Sequence, residues 1–181
     1  MIRRQLLTII AATAFAPAVL SAPSVFANDP AMGEAEKKHA DMTKMAGSLS
    51  LATSRVALSM ASAEMVKMFA QFEVAEQETI ADVLMSMSQE KAEGALKVPT
   101  DAEVEAMLDP AGKDVLAKLK ALQGADFDKE YVTVQTDGHN KLLAIQEDYL
   151  KVGQNREHLN IAKLARGMIK EHLYHLGMIK L

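Results

Sequence analysis

Residues 124–153 read GADFDKEYVTVQTDGHNKLLAIQEDYLKVG, and residues 154–181 continue as QNREHLNIAKLARGMIKEHLYHLGMIKL. In the first segment Phe127, Tyr131, Val134, Gly138, Leu142, Ile145 and Tyr149 recur every three or four residues, the period of one helical face. Gly153-Gln154-Asn155 marks a turn, with Asn155 as the cap of a second helix. That helix carries a stripe of Ile161, Leu164, Ala165, Met168, His172, Leu176 and Ile179. His139 and His172 fall on these segments where an apolar seam should run, so the pair predicts a helical bundle with a polar layer inside it.

Working back toward the N-terminus, Gly124 suits a C-terminal cap of the preceding helix and Asp126 an N-cap of the next. Thr100-Asp101-Ala102-Glu103 is a capping box that opens a short helix through Leu108. Asp109-Pro110 restarts that helix, with Leu116, Leu119 and Leu122 on its apolar side. The 94–99 stretch breaks the pattern. Before it runs the stripe Val66, Phe69, Glu73, Glu76, Ile80, Val83 and Met87, with Ser62 as its cap, and two carboxylates interrupt this seam as the histidines do the others. A first helix is expected from Asp41, on Met45, Leu49, Ala52, Val56 and Met60. No alternating strand pattern of useful length occurs. The fold expected is all-α, a four-helix bundle with a short extra helix between helices 2 and 3, spanning residues 41–181.

Residues 1–27 read as a cleavable signal peptide: Arg3 and Arg4, an apolar run from Leu6 to Leu20, and Val25-Phe26-Ala27 with cleavage after Ala27. Arg3-Arg4-Gln5-Leu6-Leu7 also resembles a twin-arginine signal, the route of proteins that fold and load cofactors before export, although an ordinary secretory leader is the simpler reading. Residues 28–40 are polar and small, a flexible lead-in. The apolar run is too short for a span of about 20 residues, so no transmembrane segment is expected in the mature chain and its expected location is the periplasm. The leader holds two of the 20 basic residues and none of the 24 acidic ones, leaving a mature net charge of −6, which argues against a nucleic-acid partner. Without cysteine there is no disulfide framework, thiolate site or lipid anchor.

Gly124-Ala125-Asp126-Phe127-Asp128 with Tyr131, Gln135 and His139, then Gly153, Leu159, Ala162 and Glu171-His172-Leu173, resembles a bacterial family. It is the exported, ferritin-like "domain of unknown function" family often labelled predicted outer-membrane protein. Val66-Lys67-Met68-Phe69-Ala70 is similar to that family's second-helix segment, and Lys97-Val98-Pro99 matches the junction before its third. The resemblance covers residues 41–181 and implies a ferritin-like antiparallel bundle without assigning an activity. The chain departs from the family at Glu76-Gln77, where an acidic residue is followed by histidine, and at Arg55, near a first-helix glutamate.

A ferritin-type di-metal site takes a glutamate from each of two helices and a Glu-x-x-His pair from each of the others. This chain has one such pair, Glu36-Lys37-Lys38-His39, in the lead-in, so neither a di-iron oxidase nor an iron store is expected. Glu73, Glu76, His139 and His172 remain candidate metal ligands, since carboxylate plus imidazole suits Zn, Mn or Fe. The alternative is that these groups satisfy one another and bind no cofactor, the reading favoured for a lone inward histidine. Counted from the turn at Gly153, His139 and His172 differ in level by roughly 7 Å, which favours a shared carboxylate partner over direct contact. Met42, Met45, Met65 and Met68, with His39, could offer soft ligands to Cu(I), but methionine is more often a core filler. His175 reads as a solvated last turn. With no complete catalytic set, the leading expectation is a non-enzymatic binding or stress-related module with no assigned partner. The alternative is a metal-binding or redox bundle built on the Glu/His layer.

Overall fold

The computed structural model describes residues 32–88 and 94–181; the expected leader and its cleavage site after Ala27 lie outside the described residues. Among these there are six helices and no strand: α1 (Glu34–Met60), α2 (Glu64–Ser86), α3 (Asp101–Ala106), α4 (Pro110–Lys120), α5 (Gly124–Val152) and α6 (Arg156–Met178). No described helix is long and apolar enough to cross a membrane.

Where caps are legible as short-range chemistry, the expected boundaries hold. Thr100 accepts from Glu103 N while Glu103 reaches back to Thr100 N; Asp109 accepts from Gly112 N at 2.7 Å; Asn155 accepts from His158 N at 3.0 Å. The short extra helix is in fact two, α3 and α4, parted at Met107–Asp109 because Asp109 caps a new start. Three boundaries differ. α5 begins at Gly124 with Gln123 as N-cap, so Asp126 sits in the first turn; Gly124 has φ +58°, the left-handed backbone that favours glycine. Ser62 does not cap α2. Instead the buried Asp128 carboxylate, from α5, accepts from Ser62 N at 3.0 Å and Ala63 N at 2.8 Å, holding negative charge at the helix start.

The third difference matters most. α1 starts at Glu34, inside the expected lead-in, and buries Glu36, His39 and Ala40. The face it turns inward continues through Thr43, Gly47, Ser50, Ser54 and Ala57, whereas Met45 of the expected stripe is 39% exposed. On α6 likewise, Leu164 is 64% exposed, and Ala162, Ala165, Ile169, His172 and Leu176 form the buried line. Small side chains on the inward face of α1 leave room for side chains from its neighbours. At Gly47 an added Cβ would stand 2.5 Å from Gln77 Oε1, whereas at Gly138 it would meet nothing within 4 Å.

Side-chain pairs give the directions. His39 meets Gln146, Ser50 meets Gln135 and Ser54 meets Tyr131, so α1 and α5 run antiparallel. Ser50 meets Glu73 and Gly47 meets Gln77, which makes α1 and α2 antiparallel as well, and α2 therefore parallel to α5. α5 and α6 form a hairpin through Gly153, and α3 and α4 lie against α1. Arg55 fastens the α2–α3 connection, with bonds to Glu78, Asp101 and the Pro99 carbonyl. One apolar cluster (Ala57, Val66, Phe69, Leu119, Phe127, Tyr131, Leu176) and another (Leu142, Ala165, Ile169) lie at different levels of the bundle. Each fully buried side chain of this kind contributes roughly 1.5–3 kcal/mol.

Candidate metal centre

Glu73 from α2, His139 from α5 and His172 from α6 meet among Phe69, Ser50 and Gln135. Glu73 and His139 have no exposed surface, and His172 is 8% exposed. Glu73 Oε2 stands 3.2 Å from His139 Nε2 and 2.8 Å from His172 Nδ1, and the two ring nitrogens are 3.1 Å apart. Three potential ligand atoms thus form a nearly equilateral triangle. Ligands at right angles about an ion with bonds of about 2.1 Å stand roughly 3 Å apart, so the triangle has the size of one face of a coordination sphere. Despite these separations, Glu73 Oε2 lies along no hydrogen-bond direction and is left without such a partner.

The opposite atom of each group is held by a neighbour. His139 Nδ1 lies 2.7 Å from the Gln135 carbonyl, which can only accept, so the proton sits on Nδ1 and the Nε2 lone pair faces the centre. His172 Nε2 lies 3.1 Å from Glu76 Oε2, and Ser50 Oγ lies 2.5 Å from Glu73 Oε1. Ser50 is in turn 2.5 Å from Gln135 Oε1, while Gln135 Nε2 donates to Thr53 and Ser54, and Ser54 meets the Tyr131 hydroxyl at 2.8 Å. Such outer partners fix ligand tautomer and orientation in metal sites. Phe69 closes the apolar side, its ring edge-on to His172 at 5.2 Å and His139 at 5.9 Å.

Electrostatically, the metal-free cluster is an ion pair. Burial alone lowers His172, but the Glu73 and Glu76 carboxylates outweigh it and raise its pKa to about 10. Burial likewise raises Glu73, yet the His139 and His172 rings beside it and the Ser50 hydroxyl outweigh that and hold it well below the carboxylate range.

Of the four residues expected to form the layer, three therefore share one centre, and Glu76 stands one bond behind, on the far side of His172. The rings touch directly as well as sharing Glu73, because side chains reach along the axis and close the level difference. Ser50 and Gln135 were missed as small or amide residues on a helix face, where only a partner across the interior gives them meaning. Glu36-x-x-His39, expected in a lead-in, belongs to α1, near the α5–α6 turn, where Glu36 meets Tyr149. Met42, Met45, Met65 and Met68 are 37–48% exposed, and His175 is exposed.

Residues 21–179 match the family described as Domain of unknown function (DUF4142). No curated protein and no solved structure matches the chain.

Proposed function

We propose that this chain, which belongs to the DUF4142 family, is an exported ferritin-like four-helix bundle that holds one divalent transition-metal ion on Glu73, His139 and His172. The observation that carries the reading is the triangle of ligand atoms 2.8–3.2 Å on a side, each ligand steadied from behind by Ser50, Gln135 or Glu76. Two imidazoles and one carboxylate suit Fe(II), Mn(II) or Zn(II). Three protein ligands leave coordination positions open, so a bound ion could polarise or activate a small molecule reaching it. The ferritin-like assignment is supported by the helix directions: α1 and α2 antiparallel, one long crossover carrying α3 and α4, then α5 parallel to α2. Export is supported by the leader pattern of residues 1–27.

The protein's part is to choose protonation states. His139 is offered through Nε2 by its bond to Gln135 O. His172 must lose its Nδ1 proton to bind, while Glu76 keeps the Nε2 proton and makes the ring a more basic ligand. Metal uptake at pH 7 should therefore release about one proton per ion. Calorimetry of the metal-free mature chain with Zn(II) or Mn(II), in buffers of different ionisation enthalpy, tests this. Uptake of about one ion with proton release, lost in His139→Gln, is the expected result. A chain that takes up no ion at this site would return the cluster to a register-fixing ion pair.

A further inference from the structure

Four buried side-chain polar atoms lack a hydrogen-bond partner among the described residues, and only one of them, Glu73 Oε2, is at the centre described above. The other three are His39 Nδ1 and both ring nitrogens of His158. His39 is 3% and His158 1% exposed. Leaving a buried polar atom unsatisfied is costly, and one ion could meet a nitrogen of each ring at once.

The tautomer of His39 follows from its neighbours. Gln146 Nε2 donates to Thr43 Oγ1 at 3.1 Å, which turns Gln146 Oε1 toward His39 Nε2 at 2.7 Å. That oxygen accepts, so His39 carries its proton on Nε2 and presents a lone pair at Nδ1. Burial is the largest influence on both rings and lowers their pKa, which keeps them in the neutral form that ligates metals. The rings stand edge to face with centroids 5.8 Å apart. Two imidazoles sharing an ion at about 2.0–2.1 Å would have centroids roughly 5–6.5 Å apart. Tyr149 stacks on His39 at 4.2 Å and lies 6.0 Å from His158, so the three rings form one cluster.

We propose that His39 Nδ1 and His158 ligate a second ion, a late first-row transition metal, at the end of the molecule where α1 packs beside the α5–α6 turn. Glu36 supplies charge rather than a bond. Its Oε1 accepts from Tyr149 OH at 3.0 Å, Gln154 N at 3.1 Å and Asn155 N at 3.3 Å, and its Oε2 from Gly33 N at 3.0 Å. A carboxylate so held stays ionised and favours a cation near the two rings. An imidazole pair suits zinc or copper and excludes magnesium and calcium, which require oxygen ligands.

The inference does not rest on the first centre, and the test separates them. Long-range 1H–15N spectra of the metal-free mature chain resolve the histidine ring nitrogens while Zn(II) is added, with Mg(II) as control. Saturation at about two ions per chain is expected, with His39 Nδ1 and a His158 nitrogen shifting to metal-bound positions. His158→Gln should remove one equivalent and leave the His139 and His172 signals responsive, and His139→Gln should do the converse. If zinc moves only the His139 and His172 signals, the second site is overturned while the first stands. If it moves only those of His39 and His158, the first fails and the second stands. His39 and His158 signals indifferent to zinc in the wild-type chain, the mark of waters bridging the rings, also overturn the proposal, without relying on a variant that folds.

Discussion

Two polar regions lie inside this molecule, and they solve burial differently. At Glu73–His139–His172 charge is balanced within the cluster: a raised imidazole faces two carboxylates, and only Glu73 Oε2 lacks a directed bond. At Glu36–His39–His158 the carboxylate is satisfied by four donors, while burial favours neutral imidazoles and three of their nitrogens have no hydrogen-bond partner among the described residues. The first can persist metal-free as an ion pair and must give up a proton to bind. The second needs no proton release, since its rings already offer lone pairs. Burying a histidine therefore does not by itself fix its role; the charge of what surrounds it does.

The largest test of that contrast removes the central anion. Glu73→Ala leaves the protonated His172 ring buried with Glu76 as its one remaining carboxylate, and should cost about 3–5 kcal/mol in urea unfolding of the metal-free chain. It should also abolish uptake at the first centre. Glu36→Gln should cost less, because an amide oxygen can still accept from Tyr149 and the turn amides; a larger loss there would break the comparison. Phe69→Ala opens a cavity beside both rings of the centre and should cost about 4 kcal/mol, with weaker metal affinity.

Next come opposite limbs of a stability–pH curve for the metal-free chain. His172 has its folded pKa raised from 6.5 to about 10, so its contribution is full below 6.5 and is lost as pH rises through 10. His172→Gln should flatten that alkaline limb. Burial raises Glu36, but the Gln154 and Asn155 amides and the Tyr149 hydroxyl outweigh it and hold the folded pKa at about 2. Its contribution is present above 4.5 and is lost as pH falls toward 2. Tyr149→Phe should cost about 1 kcal/mol at neutral pH and soften the acid limb. Urea midpoints measured across pH read both.

The smallest effect reverses sign. Gly138→Ala on α5, with nothing within 4 Å of the new Cβ, should stabilise by roughly 0.5–1 kcal/mol, whereas Gly47→Ala should destabilise by forcing Gln77 aside. Thermal unfolding of the two variants checks the pair.

Much of this architecture was legible residue by residue. The caps at Thr100, Asp109 and Asn155 were readable because a cap is made within one turn of chain. Tyr131, Leu142, Ile145 and Tyr149 were readable on α5 because large side chains on one face dominate a stripe. The start of α1 and the polar half of its buried face were not legible, for the converse reason. Glu36, His39, Thr43, Ser50 and Ser54 are buried beside Leu51, Ala52 and Ala57, so the apolar stripe finds the side of α1 that carries Ala52, Val56 and Met60 and misses the polar side. The cap supplied to α2 by Asp128 joins residues more than sixty apart and carries no local signal.

The sequence by itself determined the helical class, the turns, and the presence of a Glu/His layer, because period, capping and the cost of burying a charge are properties of short segments. Only the tertiary structure decided which atoms of that layer converge. It set Glu76 behind His172, gave Ser50 and Gln135 their places, and drew Glu36 and His39 from an expected lead-in into the interior beside Tyr149 and His158. Those outcomes depend on how helices from distant parts of the chain are rotated and tilted against one another, which is fixed by packing across the bundle rather than by any one helix's pattern.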